Sequence, residues 1–141
     1  MRRIVPSIRL AAVLAVASWT AASAQSGDLG RYEYETYCAV CHGVEGKGGG
    51  PFSMLLNKRV PDLTVLTKNN SGVFPVMRVR ETILGRADIP GHGPREMPIW
   101  GDVYDERARS QFGRNPDPGD VQAYVRVRVA ALAEYLARLQ E

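Results

Sequence analysis

The stretch Tyr37–Phe52, YCAVCHGVEGKGGGPF, holds both cysteines of the chain and one of its two histidines within five residues. Cys38-Ala39-Val40-Cys41-His42 is C-x-x-C-H, the attachment pattern of c-type haem. The spacing has a chemical reason. Residues i and i+3 share one face of a helical turn, so two thiols placed this way can bond the two vinyl groups of one porphyrin. The next residue, His42, then offers Nε2 to the iron as proximal ligand, while its Nδ1–H goes to a nearby carbonyl, with Pro51 or Pro61 as candidate suppliers.

Three other readings compete. A structural zinc site takes four Cys or His ligands, and adjacent Cys41 and His42 are a poor pair for one tetrahedral ion. A thioredoxin-like dithiol follows a strand and opens a helix, and no β-rich pattern precedes Cys38. A plain Cys38–Cys41 disulfide stays open, because the N-terminus reads as an export signal to an oxidising compartment. Arg2, Arg3 and Arg9 form a basic segment, Leu10 to Trp19 an apolar run, and Ala22-Ser23-Ala24 a cleavage site before Gln25. The run falls short of the roughly 20 residues that span a bilayer. The expected organisation is a signal peptide over 1–24 and one domain over 25–141, periplasmic and without stable membrane insertion after cleavage.

The full chain has 141 residues, 18 of them basic and 15 acidic. The three arginines of the signal account for the whole excess, which leaves 15 of each sign in the mature domain. Nucleic acid is therefore not an expected partner. The triplets Arg78-Val79-Arg80 and Arg126-Val127-Arg128 read as solvated helix faces.

If haem is held at His42, its other axial position needs a ligand. Met54, Met77, Met97 and His92 are the candidates. Met97 sits in GHGPREMPIWGDVY, a Gly/Pro-rich loop, and Pro98 stiffens the backbone beside it. Met54 and Met77 lie in apolar or periodic surroundings and read as core filler. Met97 is the expected ligand, with His92 or an open position as the alternatives. Arg95 is a candidate partner for a propionate, and Trp100 and Tyr104 read equally as haem-edge or core aromatics.

Helix signals frame these loops. Asp28 can cap a helix over about 29–39, a middle helix starts near Pro75 and stops at Gly85, and VQAYVRVRVAALAEYLARLQ carries helical spacing behind Asp117 or Asp120. The alternating VRVRV at 125–129 is taken as helix. Gly30 lies inside the first helix, which close approach of the last helix near Tyr135 would explain.

The sequence resembles the small class I c-type cytochromes of bacterial periplasms. GRYEYETYCAVCHG carries Gly30, Tyr34 and Cys38 at the family's spacing. GKGGGPFSMLLNKRVPDLTVL, the helix FPVMRVRETILGR and the loop HGPREMPIWG carry the rest. The segment 104–120 is longer than in the shortest members and has no assigned role. The resemblance implies an all-α fold, an orthogonal bundle of short helices with long loops around one haem. It also implies one covalent haem c on Cys38 and Cys41, axial ligation by His42 and Met97, and transient redox partner proteins. No paired carboxylates or activated nucleophile suggest an enzyme, so the expected function is a one-electron carrier. The alternative is the cytochrome subunit of a periplasmic dehydrogenase or sulfur-oxidising complex.

Overall fold

The computed structural model describes residues 29–87 and 97–141. The expected signal peptide, Asp28, His92 and Arg95 lie outside them. The described residues are helical and contain no strand. Helix α1 runs over residues 29–42. Helices α2 (Val76–Ile83), α3 (Trp100–Phe112) and α4 (Pro118–Arg138) come after it, with single 3₁₀ turns at Ser53–Leu55 and Lys68–Asn70. None of these helices is long and apolar enough to cross a membrane.

The first and last helices cross at Gly30. A Cβ on Gly30 would lie 2.1 Å from the Ala131 carbonyl oxygen and 2.9 Å from Tyr135 Cβ. Only glycine permits that approach, as the sequence suggested. The crossing continues through Tyr34, whose ring centroid is 5.3 Å from that of Tyr135. Helix α4 begins where Asp117 accepts a hydrogen bond from Gly119 N–H at 2.6 Å, with Pro118 at its first position. It buries Val121, Val129, Leu132 and Leu136 and packs on both α2 and α3. Val79 and Ile83 of α2 and Trp100 and Tyr104 of α3 complete the core.

Helix α3 was not expected. Its buried residues, Trp100, Tyr104 and Ala108, recur every fourth position, a one-residue-wide stripe closing on a small side chain. Such a stripe leaves little periodic signal. Two other readings are corrected. Met54 is 87% exposed and Met77 62% exposed, so neither fills the core. Met54 rides on the outer side of the Ser53–Leu55 turn, and Met77 sits on α2 off the face that carries Val79 and Ile83. Arg128 is not on a solvated face either, since it pairs with the buried Glu33.

Candidate functional site

The cysteine cluster sits at the C-terminal end of α1. The helix widens into a π turn over Tyr34–Cys38, where the Ala39 N–H reaches the Tyr34 carbonyl, then returns to α geometry over Ala39–His42. Such a one-turn insertion rotates the downstream end of a helix relative to its upstream end. Here Glu33 and Tyr34 face the crossing with α4, while Cys38, Cys41 and His42 turn toward a cavity.

The glycine-rich loop holds this helix end. Terminal carbonyls of a helix lack partners within it. Gly48, Gly50 and Phe52 donate N–H to the carbonyls of His42, Cys41 and Val40 at 2.8, 3.1 and 2.9 Å. A Cβ on Gly50 would stand 2.5 Å from the Ala39 and Val40 oxygens, so the loop can lie this close only without a side chain there. The Tyr34 hydroxyl donates to the Gly43 carbonyl at 2.6 Å. The chain end secures the far side of the loop, because Gln140 donates to the Leu63 carbonyl and accepts from Thr67 N–H.

Cys38, Cys41, His42 and Met97 line one cavity, with Trp100 and Pro61. An adjoining cavity shares Cys38, His42, Met97 and Trp100 and extends over Leu63, Leu66, Val79, Ile83, Leu132 and Leu136. The chain thus brings two thiols, an imidazole and a thioether to one largely apolar cleft from two segments far apart in sequence. Cys38 and Cys41 form no disulfide with each other. Burial, helped by the negative charge of Glu33 and by Cys41, pushes the Cys38 thiol up to about 12. His42 is buried. Its Nδ1 makes no hydrogen bond to the carbonyl of Pro51 or Pro61, the two suppliers the sequence suggested.

Trp100 and Tyr104 part company. Trp100 is cavity wall, whereas Tyr104 is a core ring whose hydroxyl donates to Glu33 at 3.1 Å. Sequence reasoning missed Tyr37, Lys58 and Arg59, which also line the cavity. Tyr37, one turn ahead of Cys41, could have been found by helical spacing. Lys58 and Arg59 carry no such signal.

A thiol pair with an adjacent imidazole, a thioether from a distant loop and apolar walls together form a donor set suited to an iron porphyrin and poorly suited to a bare ion. The family model for Cytochrome c matches residues 28–140. The chain belongs to the cytochrome c family. That family binds haem c covalently and serves electron transfer between redox partners. No curated protein and no solved structure matches the chain.

Proposed function

We propose that the protein is a periplasmic monohaem carrier that takes one electron from a donor protein and passes it to an acceptor. In this reading Cys38 and Cys41 hold the haem through thioethers, and His42 and Met97 are its axial ligands. The observation that carries it is the convergence of those four side chains on one cleft. Bound there, haem supplies reversible one-electron chemistry at iron, and thioether ligation favours its reduced form.

The protein's own residues do the rest. Cys38 and Cys41 fix position, and the loop bonded to the carbonyls of Val40, Cys41 and His42 keeps that helix end from fraying. Val79, Ile83, Leu132 and Leu136 exclude water from one lobe of the cleft. Lys58 and Arg59 place positive charge on the wall of the other lobe, suited to the porphyrin carboxylates. Met97, lining the cleft with His42, would be the second residue to hold the iron, and the haem so held would exchange electrons rather than take up a substrate. Phe52, Met54 and Leu55 are exposed and lie in the segment leading to Leu56 on the cavity wall. That apolar surface suits brief docking, with contacts below about 1,200 Å² in all.

A pyridine haemochrome spectrum of the exported protein tests covalent haem directly. Met97→Ala is expected to erase the red-edge absorption band of Met–Fe(III) ligation. Loss of that band in His92→Ala, with Met97→Ala unchanged, would assign the ligand to His92.

A further inference from the structure

Glu33 is 2% exposed. Two guanidiniums converge on it: Arg128 Nε is 3.1 Å from Oε1 and Arg107 Nη1 is 3.8 Å from Oε2. The Tyr104 hydroxyl donates to Oε2 at 3.1 Å. The cluster joins α1, α3 and α4, and carries two positive charges against one negative.

It abuts the haem cleft. Arg107 Cζ lies 4.0 Å from the ring centroid of Tyr37, and Tyr37 lines the cavity beside Cys38 and Met97. The Tyr37 ring is in turn 5.6 Å from Trp100, and Trp100 6.1 Å from Tyr104, so one aromatic layer separates the charges from the cleft. The Arg107 and Arg128 side chains are themselves only 32% and 22% exposed. A charge behind such a layer is weakly screened. Desolvating ions costs stability that apolar packing would not, so the arrangement calls for a use beyond holding three helices together.

We propose that the Glu33–Arg107–Arg128 cluster sets the reduction potential of the site, its net positive charge favouring the reduced state. This rests on the haem reading above. Uptake of one electron from the donor protein lowers the charge of the site by one unit, and release to the acceptor restores it. A nearby positive charge stabilises the less positive state and raises the potential, and a nearby negative charge lowers it. Glu33 and the arginines therefore pull in opposite directions. Arg107 and Glu33 act as positioning residues for charge and touch no reacting atom.

The test is a spectroscopic redox titration of the exported holoprotein and its variants. Glu33→Gln keeps the shape and the Tyr104 partner, and is expected to shift the potential upward. Arg107→Gln is expected to shift it downward, each by a several-fold change in the equilibrium constant with a reference mediator. Arg107→Lys is expected to stay near the parent value. Arg109→Gln, which breaks an exposed pair with Asp105, is expected to leave it unchanged. A merely structural cluster would move Glu33→Gln and Arg107→Gln the same way or not at all, and either result overturns the proposal. Should Glu33→Gln fail to fold, Arg107→Gln against Arg107→Lys decides alone: equal potentials would overturn it. A parent protein without a haemochrome signal would instead sink the haem reading itself.

Discussion

Gly30 and Ala131 meet at the crossing of the first and last helices, backbone against backbone, with a Cβ on Gly30 falling 2.1 Å from the Ala131 carbonyl oxygen. Tyr135 Cβ, one turn further along the same helix, stands only 2.9 Å off as well. Gly30→Ala is therefore expected to cost at least the upper part of the roughly 1–3 kcal/mol usual for overpacking. Gly49→Ala is a fair comparison: its Cβ would meet nothing within 4 Å, and only its φ of +72° is strained, at about 1–2 kcal/mol. Urea unfolding of the holoprotein checks both. Equal losses would mean that the crossing is looser than the structure has it.

Alkali should loosen the fold through two tyrosines. Burial, above all, raises the Tyr34 hydroxyl well above the usual tyrosine range. Burial and then the Glu33 carboxylate do the same to Tyr104. In each case the folded state holds its proton more tightly than the unfolded chain. Their contribution is thus fully present below the unfolded value near pH 10 and is lost as pH rises above it. Denaturant midpoints are expected to fall above pH 10, less steeply in Tyr34→Phe. Ultraviolet tyrosinate absorbance of the native protein should show both hydroxyls ionising only with unfolding.

Much of this was legible from residue spacing. C-x-x-C-H put both thiols and the imidazole on one cavity because a helical turn dictates it, and Gly30 foretold the crossing because a mid-helix glycine needs a reason. Helix α3 was not legible, since Trp100, Tyr104 and Ala108 make a narrow stripe directly after a Gly/Pro-rich run. Glu33 was not legible either. Within YEYET it looks like any exposed helix acid, and its burial is decided by Arg107 and Arg128, which arrive from helices far along the chain. Met54 and Met77 misled for a related reason: apolar neighbours in sequence do not say which side of a short turn or short helix faces water.

Removal of the haem should cost the fold dearly. Leu63, Val79, Ile83, Leu132 and Leu136 all face the cleft, and a group bound only to the folded state adds its binding energy to stability. Cys38→Ala/Cys41→Ala, unable to form thioethers, is expected to melt well below the holoprotein and to unfold less cooperatively. Calorimetry of the two side by side checks it. An unchanged melting temperature would show that the polypeptide core is sufficient alone.

Partner encounter offers a last separation of effects. Phe52, Met54 and Leu55 are exposed beside the cleft, and removal of the expected signal leaves 15 charges of each sign. With no net charge on the polypeptide, long-range steering is weak, so electron-transfer rates should fall only modestly with added salt. Apolar contact then carries the docking. Met54→Asp and Leu55→Asp are expected to slow bimolecular electron transfer severalfold, because each forces a carboxylate into a desolvated contact. They lie outside the core, so melting temperature and reduction potential should hold steady. Stopped-flow kinetics across a salt series, with a potential measured on each variant, distinguishes the cases. A steep salt dependence in the parent together with normal rates in both variants would place docking on charged residues elsewhere.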